Sequence, residues 1–281
     1  MIVNEALRQA AEALAAVSDT PRLDAELLMS EALGITRSAM LLGRMRDDAP
    51  PHFDALLQRR LGHEPVAYIL GRQDFWTLTL AVSPGVLIPR ADSETLIEAA
   101  IAAFQDHPPA RILDLGTGSG ALLLAALSHW PLARGTGIDA SAAALAIASS
   151  NAVATGLADR AQLQLADWRT TGWIEALQAP FDLILANPPY VETHAALAPQ
   201  VAQHEPHSAL FAGPDGLDDY RILIPALPGL LAPGGVAVFE IGSTQSAAVV
   251  ALAEASGFDA QCCKDLAGHD RALILRPQRA A

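Results

Sequence analysis

A chain of 281 residues, 51% apolar and 5% aromatic, is long enough for two domains with a core built mostly from Ala, Leu, Val and Ile. Its formal charge of −13 is uneven: residues 1–90 carry nine Arg and eleven acids (−2), residues 91–281 nine Lys or Arg and twenty acids (−11). A half that acidic is badly suited to gripping phosphates, which argues against a nucleic-acid partner. No apolar run is long enough to cross a bilayer, and the N-terminus lacks the basic-then-apolar layout of a signal peptide. Adjacent Cys262 and Cys263 suit a disulfide poorly, so a reducing, cytoplasmic location is expected. The eight histidines show no ligand-like spacing, and no metal site is expected.

The N-terminal stretch reads as helical. Ala6, Leu7, Ala10, Ala11, Leu14 and Ala15 recur at helical spacing, and a second helix opens at Thr20-Pro21 and closes at Gly34. A third starts near Ser38, and a fourth follows Pro50-Pro51 and ends near Gly62. These make a small helical bundle over residues 1–72, serving either as a structural cap or in substrate recognition. Residues 75–82 are rich in strand formers and Ser83-Pro84-Gly85 is a turn, which predicts a β-hairpin linker over residues 73–90. Asp92 or Ser93 then caps a helix running to Phe104, and Arg90 reads as a surface arginine. After Pro108-Pro109 strands and helices alternate. Strands are expected at 111–115, 135–138, 161–165, 181–186, 235–241, 258–263 and 272–276. Helices are expected at 121–130, 141–154, 216–231 and 245–256. Such alternation predicts an α/β domain over residues 91–281, a largely parallel sheet with helices on both faces.

Four strand ends carry polar chemistry. Asp114-Leu115-Gly116-Thr117-Gly118-Ser119-Gly120 is a strand-to-helix turn where glycines admit a ligand close to the backbone. Its spacing is not the Gly-x-Gly-x-x-Gly of dinucleotide sites, so pyrophosphate is disfavoured; Asp114 suits a cationic amino-acid moiety. Asp139 ends the next strand, about twenty residues on, where an acidic residue meets ribose hydroxyls or caps the following helix. At Asp167-Trp168 a carboxylate can accept from an adenine amine beside a packing indole, or the pair is simply loop. At Asn187-Pro188-Pro189-Tyr190 an apolar strand stops at a polar side chain, and two prolines prevent a helix. This is either a strand-ending turn or a site whose acceptors and aromatic face suit a planar NH2 group. In a parallel sheet all four ends meet at one edge.

These motifs resemble those of Rossmann-like class I methyltransferases that use S-adenosylmethionine to methylate planar nitrogen. Further stretches narrow the resemblance: 64–71, Asp74-Phe75-Trp76, Leu87-Ile88-Pro89-Arg90 with Asp92 and Glu94, Glu205-Pro206, 215–218 and Glu240-Ile241-Gly242. In that order they resemble the HemK/PrmC family, which methylates the glutamine N5 of the Gly-Gly-Gln loop in bacterial class I peptide-chain release factors. Ala91 and His204 depart from the family pattern, which usually has proline and an aromatic there. The resemblance implies that Asn187 and the Pro188 carbonyl accept the two amide hydrogens, making Asn187, Pro188 and Tyr190 catalytic, with Pro189 completing the substrate site. It implies cofactor contacts from Asp114, Gly116, Thr117, Gly118, Ser119, Gly120, Asp139, Asp167, Trp168 and Asn187. The helical domain and the long segment 191–216 are expected to grip the protein substrate. One rival is the same chemistry on an exocyclic amine of DNA or RNA, disfavoured by the acidic catalytic half. Another is a cofactor-binding scaffold without turnover, disfavoured by the full Asn-Pro-Pro-Tyr cluster.

Overall fold

The computed structural model describes residues 1–278, so the last three positions of the expected α/β domain lie outside the described residues. It divides into two compact units, one of them Met1–Arg72 with Leu197–Glu205. This unit contains α1 (Val3–Leu14), α2 (Pro21–Leu33), α3 (Arg37–Gly43), α4 (Phe53–Leu61) and α5 (Val66–Leu70). Helix α1 buries Val3, Ala6, Leu7, Ala10 and Leu14, a stripe at helical spacing, while Arg8 bridges Glu5 and Glu12 on its exposed face. Pro21 opens α2 with its fixed φ, and Gly34 closes it in the left-handed region at φ 64°.

An ion pair lies inside this unit. Arg60 Nε donates to Asp24 Oδ2 at 2.7 Å, with both side chains buried. The hydroxyls of Ser18 and Thr20 donate to the same carboxylate at 2.7 and 3.0 Å. Arg60 Nη2 donates to the Val17 carbonyl at 3.2 Å and to Gln200 Oε1 at 3.0 Å, tying the 197–205 piece to the helices of its unit.

The second unit comprises Gln73–Ala196 and the described residues from Pro206 onward. A two-stranded hairpin, β1 (Arg72–Phe75) and β2 (Leu78–Ala81), leads to α6 (Glu94–Ala103). Its turn lies at Trp76-Thr77, and the expected turn at Ser83-Pro84-Gly85 falls beyond it. Trp76 adopts φ 56°, and its N–H donates to Glu94 Oε1 at 2.8 Å, a distant partner that local composition does not signal.

The remaining elements are β3 (Arg111–Leu115), α7 (Ala121–His129), β4 (Arg134–Asp139), α8 (Ala142–Ala154), β5 (Ala161–Leu165) and β6 (Phe181–Ala186). After β6 come α9 (Pro199–His204, in the helical unit), α10 (Asp218–Ala226), β7 (Leu231–Glu240), α11 (Ser246–Ala255), β8 (Phe258–Lys264) and β9 (Asp270–Pro277). The short helices α5 and α9 have no counterpart among the expected elements. The expected helix over 216–231 is α10 followed by a 3₁₀ turn at Leu227–Gly229, with Pro225 in the last turn of α10.

The sheet order is β5-β4-β3-β6-β7-β9-β8, parallel through β7, with β9 antiparallel to both β7 and β8. Strands β6 and β7 read as continuous apolar runs because both faces are covered. Leu183, Leu185, Val236 and Val238 face the core that holds Leu123 and Leu127 of α7. Ile184, Ala186, Ala237 and Phe239 face the core that holds Leu223 of α10 and Val249 of α11. Leu115 pairs with Ile138 on one side and Ala186 on the other, so β3, β4 and β6 end level. The chain moves outward from β3 to β5 and then crosses to β6, which places a topological switch point between β3 and β6. Among the described residues no helix is long and apolar enough to cross a membrane, and no cluster of His, Cys, Asp and Glu could hold a metal ion.

The buried pair in the helical unit generates a stability prediction. Asp24→Ala leaves the Arg60 charge buried and is expected to cost about 3–5 kcal/mol in chemical denaturation. Glu12→Ala, which breaks the exposed pair with Arg8, is expected to leave the denaturation midpoint essentially unchanged.

Candidate active site

The loop after β3 is fastened to the neighbouring strand. Gly116 and Thr117 N–H groups both donate to the Ile138 carbonyl, at 2.9 and 2.8 Å. Gly118 N–H donates to Asp139 Oδ2 at 2.9 Å, and Ser141 N–H to Asp139 Oδ1 at 2.8 Å. Gly116 and Gly118 have φ of 74° and 55°, a region other residues enter at a cost. A Cβ on Gly116 would come within 3.0 Å of the Trp168 ring, whereas one on Gly118 would meet nothing within 4 Å. The loop therefore leaves open space above Gly118.

That space belongs to a cavity of roughly 380 Å³. Of the residues expected from the sequence, Gly116, Gly118, Asp139, Asp167, Trp168, Asn187 and Pro189 line it. Asp114, Thr117, Ser119, Gly120, Pro188 and Tyr190 are not on its wall. Asp114 is buried behind the loop, where it accepts from the Thr117 hydroxyl at 2.6 Å and leaves Oδ1 without a hydrogen-bond partner. Burial pushes its carboxyl up to about 7; Thr117 and the Leu123 N–H hold it lower, and Asp139 pushes the other way.

Trp168 is clamped from behind. Its Nε1 donates to Asp219 Oδ1 at 2.7 Å, and Arg169 Nη2 donates to both Asp219 oxygens at 2.9 Å. Asp167 Oδ1 accepts from the Arg169 N–H at 2.9 Å. Asn187, at the carboxyl end of β6, donates from Nδ2 to Ser93 Oγ at 3.2 Å. Tyr190 O–H donates to Glu240 Oε1 at 3.2 Å, and Gln245 Nε2 holds the Tyr190 carbonyl at 3.0 Å. Burial first, and the Glu240 charge second, push the Tyr190 phenol above its ordinary value, so it stays a donor.

Several wall and supporting residues escaped the sequence reading. Gly85, Val86 and Leu87, just past the hairpin, and Ala140, Ser141, Ala144, Arg169, Pro206, Ser208 and Ala209 complete the wall. Asn151 on α8 bonds Ala81 N–H and C=O at 2.7 and 3.0 Å and the Ser119 carbonyl at 2.8 Å, joining hairpin to glycine loop. Its one signal in the sequence is a polar residue on the helix face that also buries Ala144 and Ala148. Glu240, Asp219 and Ser93 stand at positions where composition gives no signal of their partners.

The donor set suits S-adenosylmethionine. A carboxylate oxygen has two acceptor sites, so Asp139 and Asp167 can take ligand hydrogens while holding the loops. The open space at Gly118 gives such a ligand room close to the backbone.

Comparison with known proteins agrees. Residues 5–71 match the PrmC N-terminal domain family, and residues 91–208 match the methyltransferase small domain family. A release factor glutamine methyltransferase of Caulobacter vibrioides is 42% identical over 262 residues, 91% of this chain and 89% of its own. One from Rhodospirillum rubrum is 44% identical over 269 residues, 94% of this chain and 81% of its own. A solved methyltransferase from Pyrococcus furiosus superposes with a TM-score of 0.53 over 72% of this chain and 90% of its own; at 15% identity it shows the fold alone. A helical N-terminal unit, a class I methyltransferase sheet and relatives above 40% identity over nearly the whole length lead to one conclusion: the chain belongs to the release factor glutamine methyltransferase family.

Proposed function

We propose that this protein methylates the side-chain amide N5 of the glutamine in the Gly-Gly-Gln motif of peptide-chain release factors, with S-adenosylmethionine as donor. The observation that carries this reading is Asn187: it lines the cavity, and its amide nitrogen is already held by Ser93 at 3.2 Å. The oxygen end is left to accept from a ligand. The names of the relatives support the release factor as substrate.

When bound, S-adenosylmethionine supplies an electrophilic methyl group on a cationic sulfur. The protein's task is then positional. Gly116 and Gly118 give room, Asp139 suits ribose hydroxyls, Asp167 suits the adenine amine, and the clamped Trp168 offers a flat apolar face. Asp114 attracts the amino-acid ammonium by charge. On the substrate side, an amide nitrogen is a poor nucleophile because its lone pair is delocalised. Asn187 Oδ1 and the Pro188 carbonyl, each accepting one N–H, aim that nitrogen and stabilise the positive charge it acquires. Tyr190, fixed through Glu240 and Gln245, bounds the flat slot. No separate general base is needed, because the nitrogen becomes acidic as it bonds to carbon. The helical unit, including α9 from the long segment after Tyr190, recognises the protein substrate.

Three outcomes test this reading. In a radiolabel transfer assay with purified release factor, Asn187→Ala is expected to lower kcat about 10²–10³-fold, as loss of a charge-stabilising group does. Its affinity for S-adenosylmethionine should stay largely intact; full activity would refute the role of Asn187. Asp114 is charged only above about pH 7, so calorimetric affinity for S-adenosylmethionine should weaken as pH falls through that value. Asp114→Asn should bind weakly at every pH. Finally, removal of residues 1–70 is expected to abolish methylation of intact release factor while sparing cofactor binding; unchanged methylation would reduce the helices to a cap.

A further inference from the structure

Gln245 stands where the loop after β7 becomes α11, and both polar atoms of its side chain have partners within the sheet unit. Its Oε1 accepts from the Gly242 N–H at 3.0 Å, while its own backbone N–H donates to the Gly242 carbonyl at 2.9 Å. The first of these bonds settles which way the amide faces. A backbone N–H can only donate, so the oxygen is turned to Gly242 and Nε2 points away from it. There Nε2 donates to two carbonyls, Tyr190 at 3.0 Å and Gly216 at 3.3 Å, which uses both of its hydrogens. Two glycines make the space. A Cβ on Gly216 would lie 2.3 Å from the Tyr190 carbonyl oxygen and 2.7 Å from Gln245 Nε2. One on Gly242 would lie 2.8 Å from Gln245 Oε1. Gly216 also holds φ 69°, a conformation that other residues enter at a cost.

We propose that Gln245 is a positioning residue: its Nε2 pins the carbonyls of Tyr190 and Gly216 together, which closes the base of the long 191–215 excursion and fixes the backbone that presents Tyr190 to the substrate amide. This inference rests on Tyr190 bounding the amide slot in the reaction proposed above.

The surroundings show why such a clamp is needed. Pro188 and Pro189 have no N–H, so the segment that carries the amide acceptors is short of backbone donors with which to hold itself. Just beyond Tyr190, the outgoing and returning chains meet in an isolated parallel bridge between Val191 and Phe211. Val191 N–H donates to the Leu210 carbonyl at 2.8 Å, and Ala212 N–H to the Val191 carbonyl at 2.9 Å. Thr193 N–H adds a bond to the Gly213 carbonyl at 2.8 Å. Those few bonds stand outside any regular strand. Gln245 fastens the same two chains one step closer to the sheet. Glu240, at the start of the same loop, takes the Tyr190 O–H at 3.2 Å. One strand-end loop thus holds Tyr190 at both its phenol and its carbonyl.

The test is steady-state methylation of release factor by the full chain, with calorimetry for cofactor affinity and stoichiometry, and hydrogen exchange for the clamp itself. Gln245→Met keeps the length of the side chain and loses its donors and its acceptor. Gln245→Glu, assayed at alkaline pH where the new carboxylate is ionised, keeps the acceptor for Gly242 and loses only the donors. Both are expected to lower kcat about 10–100-fold, with KM for release factor and cofactor affinity within about twofold of wild type and the binding stoichiometry unchanged. In both, the amides of Val191 and Ala212 should exchange faster than in wild type, while those of α8 keep their rates. A Gln245→Glu as fast as wild type overturns the clamp, and so does unaltered exchange at Val191 and Ala212. A loss of rate matched by a loss of cofactor stoichiometry, which marks unfolded chain, overturns it as well. Full activity in both variants beside an impaired Asn187→Ala sinks the inference and leaves the proposed function standing; a wild-type chain that leaves release factor unmethylated removes both.

Discussion

One carbonyl and one carboxylate at the end of β4 hold the site in shape. Ile138 C=O takes the amides of Gly116 and Thr117, and Asp139 takes those of Gly118 and Ser141. These bonds form only because β3 and β4 run parallel and end level, with Leu115 opposite Ile138. A slip of one residue would turn the apolar sets of both strands to the wrong faces. The same register sets Ala186 opposite Leu115, which delivers Asn187 to the edge where the glycine loop opens.

Around that edge the protein has concentrated acceptors in a low-dielectric setting. Asp114 and Glu240 are both buried, both carry an oxygen without a partner, and both are held near neutrality by burial. Each stands behind a group proposed to touch a ligand: Asp114 behind the glycine loop, Glu240 behind Tyr190. A buried acceptor with an open lone pair is costly for the folded state and useful for fixing the direction of hydrogen bonds. Asp219 is a third buried carboxylate, and it is fully engaged by Trp168 and Arg169. Its effect is mechanical: the indole that overhangs Gly116 cannot swing away.

The helical unit obeys a different logic. Its apolar stripe makes a small core of its own, and its polar centre is the Arg60–Asp24 pair, with Arg60 also bonding Gln200 of the 197–205 piece. The segment following Tyr190 thus leaves the sheet unit, contributes α9 to the helical unit, and returns at Pro206 to line the cavity. A single excursion of chain joins the residues proposed to hold the amide to the unit proposed to recognise its bearer.

Much of this was legible in the residues themselves. Apolar runs bounded by glycine and proline located the strands, and the alternation of strand and helix implied parallel pairing, because a crossover helix brings the next strand back in the same direction. Asn187-Pro188-Pro189 announced a strand end with free acceptors, since proline removes the N–H groups that would otherwise pair. Tertiary structure decided the rest, because hydrogen-bond partners distant in sequence leave no local trace. The hairpin reverses at Trp76, whose N–H Glu94 holds, while the turn at Ser83-Pro84-Gly85, closed by Val86 N–H on the Ser83 carbonyl, follows it as a separate feature. Asp114 lies behind the glycine loop rather than on the cavity wall because Thr117 folds back onto it. Asn187 donates from Nδ2 to Ser93, 94 positions before it in the chain, a partner that only the fold supplies.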